Sequence, residues 1–100
     1  MAETLTDEGR FETPNASRYL QQLCKHFGHK TEVQFDAVSG RVVLGAGVAT
    51  MAATEDALVV TLAADSAEAL EQARHVIDSH LERFAFREKF KTMEWGRPVA

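Results

Sequence analysis

Apolar side chains return every three or four positions between residues 16 and 27, at Ala16, Tyr19, Leu20, Leu23 and Phe27. That step matches the turn of an α-helix and predicts one amphipathic stripe. Thr13-Pro14 supplies a start, with threonine as cap and proline in the first turn, where its missing N–H would be unpaired anyway. Gly28 stands where a left-handed C-terminal cap is expected. The period then drops to two. Val33 and Phe35 alternate with Glu32, Gln34 and Asp36, and Arg41–Leu44, Val48–Ala53 and Leu58–Ala63 read as further strands. In the last of these, Leu58, Val60 and Leu62 face inward and Val59 and Thr61 outward. Ser39-Gly40, Gly45-Ala46-Gly47 and Thr54-Glu55-Asp56 are the turns between them. Helical spacing resumes at Leu70, Ala73, Ile77, Leu81 and Phe84, after Asp65-Ser66-Ala67-Glu68, which reads as a capping box with aspartate as cap. Phe86 would fall nearly opposite that stripe, so the helix is expected to stop near Arg83–Phe84. Met93 and Trp95 alternate with Thr92 and Glu94 as a final strand.

Short turns between consecutive strands imply antiparallel hairpins, and one polar side per strand implies a sheet covered on one face. The expected fold is an α+β two-layer sandwich, an antiparallel sheet of four to five strands with two helices on one face, in the order α-β-β-β-β-α-β. Residues 1–12 show few apolar groups and are read as a flexible N-terminal tail, so a single domain is expected over 13–96, with a short tail at 97–100. The place of the final strand within the sheet is left open.

Composition narrows the function. A net charge of −4 argues against a general nucleic-acid binder, which needs a basic face to displace counterions. The acidic, polar start MAETLTDEGRFE is no secretory signal, and no apolar run spans a bilayer, which points to a soluble, cytoplasmic protein. Cys24 is the only cysteine, so neither an internal disulfide nor a cysteine-based zinc knuckle is available.

The stretch CKHFGHK, residues 24–30, gathers a thiol, two imidazoles and two lysines. Cys24 and His26 are two residues apart and point away from each other on a helix, which disfavours both a shared metal and a cysteine–histidine nucleophile. His26 and His29 have a chelating step, but Gly28 is expected to end the helix between them. Cys24 beside the apolar stripe reads as a small buried hydrophobe, and Lys25, His26 and Lys30 as positive charge favoured at a helix C-terminus. Around this stretch lies a basic constellation of Arg18, Tyr19, Lys25, His26 and His29 on the first helix, with His80, Arg83 and Arg87 on the second. Such groups hold carboxylates, phosphates or catecholate-type anions. The expectation is a non-catalytic binding or accessory module with no cofactor and no resident metal. The rivals are a metal or redox site on Cys24, His26, His29 and His80, and a structural module that forms a homodimer through a sheet edge or Phe86.

Two blocks, TPNASRYLQQLCKHFGHK at 13–30 and HLERFAFRE at 80–88, together with VQFD at 33–36, resemble the bacterial domain-of-unknown-function family numbered 2218. The resemblance spans roughly Thr13 to Trp95. It implies no defined activity and transfers no catalytic residue. Similar domains occur fused to siderophore-interacting flavin reductases. By association, this resemblance suggests a ferric siderophore, or the reductase that handles it, as partner.

Overall fold

The computed structural model describes residues 4–45, 47–88, 90 and 92–97. Its elements are β1 (Leu5–Glu12), α1 (Ala16–Phe27), β2 (Val33–Phe35), β3 (Ser39–Val43), β4 (Val48–Ala53), β5 (Ala57–Ala64), α2 (Ala67–Phe84), a 3-10 turn (Phe86–Glu88) and β6 (Glu94–Arg97). The strands form one six-stranded antiparallel sheet in the order β2-β3-β4-β5-β1-β6. The α+β architecture follows the sequence reading, with one more strand than expected.

That additional strand corrects the reading of residues 1–12. Residues 5–12 form β1, which pairs along its whole length with β5, from Leu5 opposite Ala64 to Glu12 opposite Ala57. Residues 1–3 lie outside the described residues. The alternation of a strand is present, but two inward positions carry unusual residues. Asp7 and Gly9 point toward the helices, and Thr6, Glu8, Arg10 and Glu12 toward the open side. Gly9 is required by close approach, since a Cβ there would lie 2.6 Å from Cε3 of Trp95. Asp7 is buried because Arg74 Nε donates to it at 2.5 Å and the Gly96 amide at 2.8 Å. The final strand takes the edge, beside β1, and includes Arg97, which the sequence reading placed in a tail. Residues 98–100 of that tail lie outside the described residues.

Register builds the core from aligned rows. Val42, Ala49 and Leu62 fall in one row, and Gly40, Met51, Val60 and Gly9 in the next, all facing the helices. The opposite face carries Arg41, Thr50, Thr61 and Glu8 in register. Leu20, Leu23 and Cys24 of α1 and Ile77 and Leu81 of α2 close the core, each without solvent exposure. Burying such aliphatic side chains contributes about 1.5–3 kcal/mol each.

Three end signals differ from expectation. Asn15 is the N-cap of α1, one residue inside Pro14, and its amide donates to Thr13 Oγ1 at 3.1 Å. Ser66 caps α2 by accepting from the Ala69 amide, which replaces the aspartate capping box. Gly28 is right-handed, with φ −59°, so α1 ends by tightening rather than reversing. Its amide donates to Cys24 O at 2.8 Å, and both Lys30 and Thr31 amides reach Phe27 O. α2 stops at Phe84 as expected, with Ala85 as C-cap.

Candidate functional site

Three carboxylates organise the end of the chain. Asp78 accepts from Thr92 Oγ1 at 2.7 Å, the Met93 amide at 3.0 Å and Trp95 Nε1 at 2.9 Å, which fixes the segment entering β6. Asp7 holds Gly96. Glu88 accepts from Thr13 Oγ1 at 2.7 Å, Asn15 Nδ2 at 3.2 Å and the Tyr19 hydroxyl, so the 3-10 turn is tied to the start of α1. Burial pushes the Glu88 carboxyl up, but these donors together outweigh it and hold it below the usual glutamate value. The Tyr19 phenol is driven the other way, up to about 12, by burial first and then by Glu88. Tyr19 therefore leaves the candidate ligand set. Its ring is buried and its hydroxyl is committed to Glu88.

Tyr19 meets Glu88 while His26 meets His80, so α1 and α2 run antiparallel. At the C-terminal end of α1 they meet the turn after β3. Thr31 Oγ1 donates to Val43 O at 2.8 Å, and Leu44 and Gly47 exchange backbone hydrogen bonds across that turn. The result is a groove of 480 Å³ with apolar walls from Phe27, Val43, Leu44 and Val76 and polar groups from His26, Lys30, Thr31, Gln72 and His80. A mostly apolar cleft with a few placed polar groups is the usual form of a small-molecule site.

Two imidazoles meet in that groove, with Nε2 of His26 3.1 Å from Nε2 of His80. His80 Nδ1 lies 2.7 Å from Val76 O, and a carbonyl only accepts, so Nδ1 carries a proton. In the neutral pair His80 Nε2 is then bare and His26 Nε2–H donates to it. The His80 ring packs on Phe27 at a centroid distance of 4.8 Å, and His26 stands edge-on to Phe84 at 6.1 Å. Burial, then the positive charges of His80, Lys30, His29 and Arg83, hold the His26 imidazole below its ordinary pKa. The charges acting on it are all cationic.

Of the sequence-predicted residues, His26 and His80 thus converge, and His29 and Arg83 stand close enough to act on His26. The others separate. Arg18 and Lys25 border a shallow depression built from α1 and its cap alone, Pro14 to Lys25, with no second element to wall it. Lys25 and His29 also border a space between α1 and β2 that reaches Phe35. Arg87 lies over the exposed ring of Phe86, 5.8 Å from its centroid. Cys24 takes no part in the histidine cluster. It is fully buried against Gly40, and burial pushes its thiol up to about 11. The four-residue site on Cys24, His26, His29 and His80 is therefore not assembled, and among the described residues no three of His, Cys, Asp and Glu gather to hold a metal ion. The sequence reading left Lys30 out of the set, although it lies four residues beyond His26. The groove's apolar walls it could not assign, because they come from α1, α2 and the end of β3 with its turn, which are distant in sequence.

The profile of a bacterial family described as "Uncharacterized protein conserved in bacteria (DUF2218)" matches residues 8–96. The chain belongs to that family. Among solved structures, the NMR structure of PA4090 from Pseudomonas aeruginosa is similar to this DUF2218 chain, with 27% sequence identity and a TM-score of 0.76 over 95% of this chain and 98% of the other. No curated protein gives a significant match. The family match begins at Glu8, inside β1, and so includes most of the strand that the sequence reading took for a tail. Among the described residues, no helix is long and apolar enough to cross a membrane.

Proposed function

We propose that this DUF2218 domain is a non-catalytic binding module whose groove between α1, α2 and the β3–β4 turn takes an anionic small molecule with an apolar body. The observation that supports this most is the charge around the groove. On a chain of net charge −4, the groups acting on His26 are His80, Lys30, His29 and Arg83, every one of them cationic or able to become so. Phe27, Leu44 and Val76 would cover the apolar body, and Lys30 and the histidines would meet the charged end. A catecholate or carboxylate ligand fits this chemistry. A ferric siderophore is the candidate that the association with siderophore reductases brings forward.

Titration of ferric siderophores and simple aromatic carboxylates, followed by amide shifts, tests the reading. Shifts are expected at residues 26–31, 43–45 and 72–80, and Lys30→Ala should weaken them. Shifts confined to Arg18 and its neighbours, or none, would remove the groove from consideration. A second reading, self-association, has one supporting observation: Phe86 is 64% exposed beyond the end of α2. Light scattering of the parent and of Phe86→Ser decides it, since a dimer built on that ring should become a monomer.

A further inference from the structure

We infer that His26 and His80 form a two-nitrogen chelating half-site for a borderline divalent transition-metal ion (Cu²⁺, Ni²⁺ or Zn²⁺), with the remaining coordination positions filled by water or an anionic co-ligand in the groove. This deepens the reading of that groove as a ligand site, and rests on it.

The first support is distance. Two imidazole nitrogens on one ion stand about 2.0–2.1 Å from it. Nitrogens 3.1 Å apart then subtend about 100° at the ion, a cis arrangement open to square-planar, tetrahedral or octahedral completion. The ring centroids are only 4.7 Å apart with planes inclined by 56°, closer than rings lying end to end along the N···N line would be, so the rings are bent away from that line.

The second support is the tautomer. A metal-binding histidine usually donates its other ring N–H to a carbonyl or carboxylate, which leaves the ligating nitrogen bare. His80 does so within its own helix, through Nδ1 to Val76 O at 2.7 Å. His26 carries its proton on Nε2 in the metal-free pair. Binding moves that proton to Nδ1 through water and forms two N–metal bonds, with no net proton released from the neutral pair.

The third support is what surrounds the pair. The described residues supply no third His, Cys, Asp or Glu ligand. Lys30 lines the same groove and attracts an anion bound to the ion. The half-site therefore favours a metal already carrying anionic oxygen donors over the free ion. Imidazole suits copper, nickel and zinc, whereas ferric iron is harder and better served by oxygen, so this site is distinct from a ferric one.

The test uses Zn²⁺ alone on the full chain, read by long-range ¹H–¹⁵N spectra of the imidazoles, with Cu²⁺ paramagnetic resonance as a second readout. The Nε2 signals of His26 and His80 should move together, and thermal stability should rise because the ion joins two helices. His80→Gln should weaken Zn²⁺ binding about tenfold or more, and the exposed His75→Gln should not. Zn²⁺ that moves only His29 or His75, that moves no imidazole at millimolar ion, or that binds His80→Gln as tightly as the parent overturns the proposal. If the variant does not fold, the parent spectra decide alone. Anion binding by chelator-treated protein reports on the groove separately, so the two readings can fail independently.

Discussion

At the scale of single residues, several positions are set by what touches them and not by their own propensity. Gly9 sits under the Trp95 ring, with no room for a methyl group. Gly9→Ala should displace that ring from its bond to Asp78 and destabilise the protein by about 1–3 kcal/mol, measured by denaturant unfolding. Cys24 is the counterpart in α1. Its thiol is buried and held protonated, so at pH 8 an alkylating reagent should label it only as fast as the protein opens, and at once in denaturant. Native labelling at the rate of a free thiol would contradict the packing. Cys24 was legible in the sequence because its position beside a helical stripe is a local property. Gly9 was not, because its reason lies in a tryptophan far along the chain. The same holds for Tyr19. Its place on α1 could be read, but its hydrogen bond to Glu88 comes from the other end of the fold.

At the scale of elements, the helices and the strands β3–β5 were readable from period, since each buries apolar residues on one face, while β2 shows the alternation with Phe35 still exposed. β1 was not, because it puts Asp7 and Gly9 where valines would ordinarily announce a strand. Its structural weight can be tested directly. A chain lacking residues 4–12 exposes the edge of β5 and leaves β6 with no neighbour in the sheet. It should lose cooperative unfolding and amide dispersion, whereas removal of a true tail would leave both intact. Glu88 links elements in another way, fastening the 3-10 turn to the start of α1. Its carboxyl is held below the ordinary value in the folded state. The stabilisation it contributes is therefore complete above its unfolded value, about 4.3, and is lost as pH falls through the folded one. Glu88→Gln should be less stable than the parent at pH 7, and the two should converge in acid. A melting difference unchanged from pH 7 to pH 3 would show that the charge of Glu88 is not what holds the turn.

At the scale of the whole molecule, charge is unevenly placed. The chain is acidic in sum, yet the groove at the C-terminal end of α1 is lined by Lys30, His26 and His80, and the charges acting on His26 are all positive. Anion binding there should weaken as salt is raised, since the screening length falls from about 10 Å at 0.1 M to about 3 Å at 1 M. Affinity indifferent to salt would mean that apolar contact alone holds the ligand. The sequence showed the basic residues, but not which of them meet. Helical spacing put Arg18, Lys25 and His29 together on the first helix, while packing of α2 brings His80 to His26 instead.

The position of β1 bears on how the chain comes to be folded. The strand is made before its partner β5, which begins only at Ala57, after a helix and three further strands. The β2–β5 meander can assemble from neighbouring segments while β1 waits unpaired, and closing so long a loop is slow. During that interval the waiting strand and the open flank of β5 are the surfaces on which a nascent chain could join the wrong neighbour, and the charged residues Glu8, Arg10 and Glu12 along β1 guard against it.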